Sequence, residues 1–300
     1  MKQVVPVLPV LLVLTVLTSC SDSAGAALPS AHIVCVGLDY RNSSVSTLPG
    51  TVSDATEVCA CLESIYNAKE VGFESVLMLG EGENPDTGAP LYPTASNIER
   101  VLSSLKPESS DLVVFYWSGH GHRDEKGMFL AAAAEGQESY TGLYASDLLE
   151  WANSLPCNVV IVLDSCYAGS AVDVSSASLD FLQSLKTLTE ETLLTNVCVL
   201  AACEADSLSY VTSVPGEDGP ARAHSVFTAS LLRVLGWQCS ADHTTLVHGR
   251  KAEGYLSSLP SRTNTLVLTD LIRRDMRVNR ESEKQVPQTS GTAFPVFLVP

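Results

Sequence analysis

The sequence has few basic residues, and this shortage excludes one class of partner. It contains 18 Lys and Arg against 34 Asp and Glu among 300 residues, which gives a formal net charge of −16 at pH 7. Proteins that bind nucleic acids use clustered Lys and Arg to neutralise the phosphate backbone, and the chain has no such cluster. No nucleic-acid partner is therefore expected.

Spacings typical of metal ligands are also missing. None of the nine Cys residues forms a C-x-x-C pair, and the histidines at positions 32, 224, 243 and 248 show no ligand spacing. Most of the cysteines lie within apolar runs, where buried thiols explain them better than disulfides do. We expect neither a metal site nor a cofactor, and the sequence carries no signal on calcium dependence or on the oligomeric state.

The apolar run near the N-terminus is too short for a membrane-spanning helix. Residues 4–17 are largely apolar and follow Lys2, whereas a spanning helix needs roughly 20 apolar residues. This pattern is typical of a secretory signal peptide. It ends in Leu17-Thr18-Ser19-Cys20, which resembles the lipobox of bacterial lipoproteins.

That resemblance implies that residues 1–19 are a lipoprotein signal peptide, that Cys20 is lipidated, and that residues 20–30 form a short tether. The protein would then be exported to the bacterial cell envelope, lipid-anchored on a periplasmic or surface face. By analogy with lipoprotein sorting, Ser21 favours the outer membrane. The alternative is cleavage after Ala24 or Ala27, with loss of Cys20.

Alternating strand and helix patterns predict one α/β domain over residues 31–300, with a mainly parallel sheet covered on both faces. The predicted strands are residues 32–38, 75–79, 112–117, 159–163, 197–201 and 294–299. The predicted helices are residues 51–66, 95–105, 145–154, 179–192, 224–235 and 266–275. Polar segments rich in Gly and Pro predict loops at residues 80–93, 168–178, 212–222 and 238–262.

Two of the predicted strands run directly into polar clusters. Residues 112–117 are followed by Ser118-Gly119-His120-Gly121-His122, and residues 159–163 by Asp164-Ser165-Cys166. Ligands bind at the carboxyl ends of the strands in open α/β sheets, so both clusters should open onto the same rim. A lone His or Cys in such a position is usually structural, but the two strand ends together indicate chemistry.

Cysteine becomes a strong nucleophile when a nearby base favours its thiolate, and histidine is the usual partner. Cys166 is therefore the candidate nucleophile and His120 its acid/base partner. The glycines on either side of His120 would leave room for a substrate backbone. The amides of Gly121 and Cys166 are the candidate oxyanion donors. No third catalytic residue is evident, which predicts a dyad.

The two motifs, which lie 46 positions apart, together resemble those of the caspase-like cysteine peptidase clan, and especially of the metacaspases and their bacterial relatives. Further similarity covers about residues 31–299 and includes a segment over residues 48–55. The resemblance implies a caspase-like three-layer sandwich and a cysteine endopeptidase that forms a thioester with a peptide or protein substrate. Tyr167 and Ala168 depart from the usual metacaspase His and Ser, and Thr51 replaces a frequent second Cys.

The resemblance also implies a substrate pocket for a basic P1 side chain. Asp54 matches a pocket carboxylate, with a first-turn helix residue as its alternative role. The second family carboxylate falls where this chain has Ala, and Asp206 is one position further on. Asp164 would cap a helix or add negative charge to the pocket. Arg222, in a predicted loop, would be a self-cleavage site if Arg is preferred.

Two other functions fit the same motifs. One is a degenerate caspase-like binding module without turnover. The other is an acyl transferase or ligase that passes the thioester to an amine. Two further histidines are given structural roles: His122 as an exposed loop residue and His224 as part of a helix start.

Overall fold

The computed structural model describes residues 29–41, 43–80, 92–134, 140–166, 196–203, 209–214, 222–237, 263–279 and 285–295. Cys20, Asp206 and the predicted helix over residues 179–192 lie outside these ranges, as do the predicted signal peptide and the whole predicted loop over residues 238–262.

A six-stranded sheet forms the centre of the domain, in the order β11-β8-β7-β3-β1-β2. Neighbouring strands are parallel from β2 to β8, and β11 is antiparallel to β8. The strands of this sheet are β1 Ser30–Leu38, β2 Gly72–Gly80, β3 Leu112–Ser118, β7 Asn158–Asp164, β8 Val197–Ala201 and β11 Gln288–Gly291.

The central strands are apolar along their whole length because both faces of the sheet are covered. All seven residues of β3 are buried, and β1 and β7 are buried apart from their first residues. Continuous Val, Ile and Leu runs are typical of such doubly covered parallel strands. The predicted α/β class and its mainly parallel sheet are therefore confirmed.

Helices cover both faces and give the domain three layers. Helices α1 Thr51–Ala68, α4 Val226–Val234 and α5 Thr265–Val278 pack on one face. Helices α2 Ala95–Ser104 and α3 Ala145–Ser154 pack on the other. The side chains of Thr94, Ser225 and Asn264 accept hydrogen bonds from backbone amides three residues later, so they are the N-caps that fix where α2, α4 and α5 begin.

Short antiparallel strands account for the elements that the sequence analysis missed. A three-stranded sheet joins β4 Gly121–Asp124, β5 Gly127–Ala132 and β6 Thr141–Tyr144, and a two-stranded ribbon joins β9 Val211–Val214 and β10 Arg222–Ser225. The prediction that His122 is an exposed loop residue is wrong, because it is half-buried within β4. Arg222 is exposed but begins β10 rather than lying in a loop.

The predicted last strand is also displaced. The antiparallel edge strand is β11, at residues 288–291, whereas Pro295 makes an isolated bridge to Asn264. The rest of the predicted strand, residues 296–299, lies outside the described ranges. In the part of the chain that the structure describes, none of the helices is both long and apolar enough to cross a membrane.

Candidate active site

The histidine and cysteine motifs leave the sheet side by side. Strands β3 and β7 are parallel neighbours, and Ser118 lies opposite Asp164 at their carboxyl ends. Just beyond this pair, the amide of Gly119 donates a hydrogen bond to the carbonyl of Asp164, with an N···O distance of 3.3 Å. The expectation that both motifs open onto one rim is thus met by the strand register.

Backbone atoms of the two motifs come into direct contact. A Cβ atom added to Gly121 would lie 2.3 Å from the carbonyl oxygen of Cys166, which is closer than real Cβ atoms approach such an atom. A Cβ atom on Gly119 would lie 2.8 Å from the hydroxyl oxygen of Tyr40. The expected room for a substrate backbone is one reason for glycine at these positions, and the protein's own packing is a second.

Cys166 differs from the other described cysteines in its exposure. All seven are free thiols, and Cys166 alone among them is partly exposed, whereas the other six are buried. One of these six, Cys203, donates from its thiol to the carbonyl of Ser165 at 3.3 Å, beside the cysteine motif. A solvent-accessible thiol at a strand end is what a nucleophile needs in order to reach a substrate.

The imidazole of His120 is held in one tautomer by a backbone carbonyl. Its Nε2 lies 2.6 Å from the carbonyl oxygen of Ser46, in the segment between β1 and α1. A carbonyl can only accept, so Nε2 carries the proton and Nδ1 of the neutral ring has a free lone pair. Burial lowers the pKa of His120, the nearby His122 lowers it further, and the bond to Ser46 partly opposes both.

Tyr40 fixes the backbone of the same histidine. Its buried hydroxyl accepts a hydrogen bond from the amide of His120 at 2.8 Å and donates one to the carbonyl of Ala131 at 2.6 Å. The two rings also pack with their centroids 4.6 Å apart. Tyr40 adopts a φ of 59°, in the left-handed region that non-glycine residues rarely occupy. Local backbone strain is therefore maintained where the side chain reaches His120.

A pocket opens beside Cys166 and reaches two buried carboxyl groups. Both Asp54, from the first turn of α1, and Asp164, from the end of β7, belong to its wall. The lining residues are Leu48, Pro49, Thr51, Asp54, Ser118, Gly119, Asp164, Ser165, Cys166, Ser209, Tyr210, Val211 and Ser225.

Asp54 is surrounded by hydrogen-bond donors. Its carboxylate accepts from Nδ1 of His224 at 2.6 Å, from the hydroxyl of Ser118 at 3.0 Å and from the amide of Ser225 at 3.2 Å. Asp54 and His224 are both fully buried. His224 lies in β10 just before α4, so its structural role is to hold the pocket carboxylate rather than to start the helix.

In the described hydrogen bonds of Asp164, every donor is a hydroxyl group. It accepts from Ser209 at 3.0 Å, from Thr228 at 2.6 Å and from Ser225, which is itself the N-cap of α4. These contacts place Asp164 among the side chains of the pocket wall, whereas any helix that it would cap begins in residues outside the described ranges. Burial raises the pKa of Asp164 to about 7, the neighbouring Asp54 adds to this rise, and the three hydroxyls partly offset it.

Tyr40, Ser46 and His224 hold the predicted site residues in place, a role that the sequence does not predict for them. They lie 80, 74 and 170 positions from the residues that they contact, and no short motif links such distant pairs. The sequence also predicted a dyad, whereas the Ser46 carbonyl adds a third group that orients His120. In the described ranges, no group of three or more His, Cys, Asp or Glu side chains is arranged to hold a metal ion.

The chain shares similarity with known proteins. The chain is similar to metacaspase-7 from Arabidopsis thaliana, with 28% identity over 158 residues, which are 46% of this chain. It spans only about a third (34%) of the length of that relative. Among solved structures, caspase-1 from Spodoptera frugiperda matches with a TM-score of 0.49 and 12% identity, covering 91% of this chain and 89% of that chain. The caspase domain model of peptidase family C14 matches residues 31–297, and the chain therefore belongs to the caspase-like cysteine peptidase family.

Proposed function

We propose that the protein is a cysteine endopeptidase in which Cys166 is the nucleophile and His120 its acid/base partner. One observation carries the proposal: the partly exposed thiol and the oriented imidazole follow adjacent parallel strands. Just beyond these strands, the backbones of the two segments come into contact at Gly121 and Cys166. Membership of a peptidase family supports the same chemistry.

The proposed reaction starts with neutral His120. Its Nδ1 takes the proton from the Cys166 thiol while Ser46 holds the Nε2 proton in place. The thiolate attacks the peptide carbonyl, and the amides of Gly121 and Cys166 donate to the resulting oxyanion, which is typically worth about 3–4 kcal/mol of barrier per donor. The carbon–nitrogen bond then breaks, and Nδ1 returns its proton to the leaving amine.

Hydrolysis of the thioester completes the cycle. Water gives a proton to Nδ1 of His120 as its oxygen attacks the acyl carbon, the carbon–sulfur bond breaks, and the proton returns to Cys166. Because its pKa is lowered by burial, His120 is neutral at neutral pH and can act as the base in both steps.

We further propose that the pocket prefers Arg or Lys at P1. A cationic side chain would reach two carboxyl groups, and these play different parts. The hydrogen bonds from His224, Ser118 and Ser225 already compensate Asp54, whereas the hydrogen bonds to Asp164 from the described residues come from hydroxyl groups without a positive charge. Pairing with a bound guanidinium or ammonium group would stabilise ionised Asp164. Asp206, outside the described residues, remains a proposed further contributor.

Peptides that differ only at P1 test both proposals. We expect cleavage after Arg and Lys to exceed cleavage after Asn, with Asp the poorest, and we expect Cys166→Ala and His120→Ala each to abolish turnover in folded protein. Cys157→Ala is the matched control, because it removes a buried thiol away from the pocket. Wild-type activity in folded Cys166→Ala would refute the nucleophile, and a preference for Asp or Asn would refute only the pocket assignment.

The same assay separates the two rivals. A binding module would bind peptides without cleaving them. A transferase or ligase would form an amide product faster than it hydrolyses the peptide when an amine nucleophile is added. Hydrolysis that is insensitive to the added amine supports the peptidase.

Membrane attachment through Cys20 is a separate proposal that rests on the lipobox-like sequence. The acylated residue would tether residues 31–300 to the bacterial cell envelope, with the outer membrane favoured by Ser21. No cofactor is required by the proposed chemistry.

A further inference from the structure

A group of rings extends from the proposed catalytic histidine across the three-stranded sheet. This group, called here the aromatic strip, comprises His120, His122, Phe129, Tyr140 and Tyr144. Phe129 pairs with His122 on one neighbouring strand and with Tyr144 on the other, so the three side chains share one face of the sheet. His120 precedes His122 by two residues and stacks on it with ring centroids 5.8 Å apart.

Part of the aromatic strip is open to solvent. Phe129, at the centre of the strip, is buried, with 8% of its surface exposed. Tyr140 is 36% exposed, and His122 is half-buried. Tyr140 stacks on His122 and on Phe129, with both centroid distances 5.9 Å. At the far end, the Tyr144 hydroxyl donates to Asp124 at 2.8 Å and Lys126 lies 5.5 Å from its ring. The rings are therefore held in place while an apolar surface remains available.

The aromatic strip and the P1 pocket lie on separate surfaces that meet at the proposed catalytic groups. The pocket wall includes Gly119 and Cys166 but none of the rings of the strip. A peptide bound across Cys166 with its P1 side chain in the pocket must place its leaving amine against His120, which protonates it. The residues that follow the scissile bond then continue on the side of His120, over the strip.

We propose that the aromatic strip is the binding site for the first residues after the scissile bond, and that it selects a large apolar or aromatic side chain there. The inference rests on the proposed peptidase function. Offset or edge-to-face packing against Tyr140 and His122 would favour a ring over a hydrogen atom by a factor of about three to ten.

Internally quenched peptides test this specificity. Two peptides share P1 Arg and differ only in having Phe or Gly immediately after it. We expect kcat/KM for the Phe peptide to exceed that for the Gly peptide by about three- to tenfold, and Tyr140→Ala to bring the ratio close to one. Phe73→Ala is the matched control, because Phe73 is 39% exposed on β2 and lies outside the strip, and it should keep the wild-type ratio.

A binding experiment separates failure of the site from failure of the enzyme. Peptide amides that begin with Phe or Gly, as the product would, are titrated into folded Cys166→Ala protein while the ring resonances of Tyr140 and His122 are followed by NMR. Shifts with the Phe peptide alone support the site even if no peptide is cleaved. Equal kcat/KM for the two substrates, or no shift with the Phe peptide, would overturn the inference.

Discussion

The hydroxyl group of Tyr40 accepts a hydrogen bond from the backbone amide of His120, 80 positions away, while the two rings pack against each other. The same hydroxyl donates to Ala131 on β5, so one side chain connects the end of β1 with both the histidine segment and the three-stranded sheet. The orientation of His120 therefore depends on a residue that takes no direct part in the proposed chemistry.

Tyr40→Phe should lower kcat by about tenfold or more while leaving KM for a P1-Arg peptide nearly unchanged. The variant keeps the ring contact but leaves a buried amide and a buried carbonyl without their partner, a loss of about 1–3 kcal/mol. Tyr66→Phe, which alters a buried hydroxyl in α1, is the control and should affect only stability. A lower melting temperature with unchanged kcat would show that Tyr40 is merely structural.

Gly121→Ala should reduce kcat/KM by at least a hundredfold in protein that remains folded. The new methyl group would lie 2.3 Å from the Cys166 carbonyl, so the nucleophile must move, and a displacement near 1 Å typically costs about that factor. Gly142→Ala provides the control in the same small sheet, because its methyl group would lie 3.5 Å from Phe129, an ordinary contact. Similar kinetics in the two variants would contradict the close approach.

The preference for P1 Arg should strengthen as the pH rises through about 7. Asp164, with a pKa raised to about 7 by burial and by Asp54, is protonated below that pH and charged above it. Asp54, His224 and Tyr116 also lie around this site, and the Asp164→Asn variant retains all three. We expect the ratio of kcat/KM for Arg over Gln peptides to increase up to tenfold between about pH 6 and pH 8. The proposed catalytic groups act on both substrates alike, so their own pH dependence cancels from the ratio.

Asp164→Asn is the control for that pH profile and should make the ratio independent of pH. A ratio that still rises near pH 7 in this variant would assign the ionisation to another group and contradict the role of Asp164.

Asp164→Asn should also raise the free energy of unfolding at pH 8 by about 1–3 kcal/mol. This range takes about 1.4 kcal/mol for each unit by which the pKa is raised and subtracts the hydrogen bonds that the substitution removes. A carboxyl group whose folded pKa of about 7 exceeds its ordinary value of 3.8 binds more protons when folded, so wild-type stability falls as the pH rises between these values. Urea denaturation at pH 5 and pH 8 measures this. An equal difference between the two proteins at both pH values would contradict the assignment.

Acylation of Cys20 should be visible in the mass of the native N-terminus. A lipobox-like end to an apolar run predicts a diacylated or triacylated cysteine as the first residue, and each buried CH₂ group contributes about 0.8 kcal/mol to anchoring. Cys20→Ser should release the protein from the membrane fraction. An unmodified N-terminus at Gly25 or Leu28 would show the alternative cleavage instead.

The sequence predicted the long apolar strands well because their pattern is strong. The predicted bounds of β3 and β7 are within one residue of the observed ones, and β8 agrees at both ends. The strands of the small sheets have only four to six residues, too few for a clear alternation, and they were missed.

The residues of the candidate site likewise fall into those that the sequence predicted and those that it did not. His120 and Cys166 follow long strands and were singled out from sequence, and Asp54 was added by resemblance. The partners Tyr40, Ser46 and His224 act through a hydroxyl, a carbonyl and a buried ring nitrogen from distant segments. Such contacts depend on the path of the chain, and local sequence does not encode it.

Because most of the described thiols are buried, their rates of alkylation can measure how often parts of the domain open. Among the described cysteines, Cys166 should react first when a neutral alkylating reagent is applied to the native protein, since the other six are buried. With Cys166 blocked, alkylation of the other described cysteines requires local or global opening of the domain, because Cys35 and Cys198 lie in strands of the central sheet, Cys59 and Cys61 lie in α1, and Cys157 and Cys203 are buried beside strand ends. The order in which Cys35, Cys59, Cys157 and Cys198 become modified would rank the layers of the domain by how often each opens.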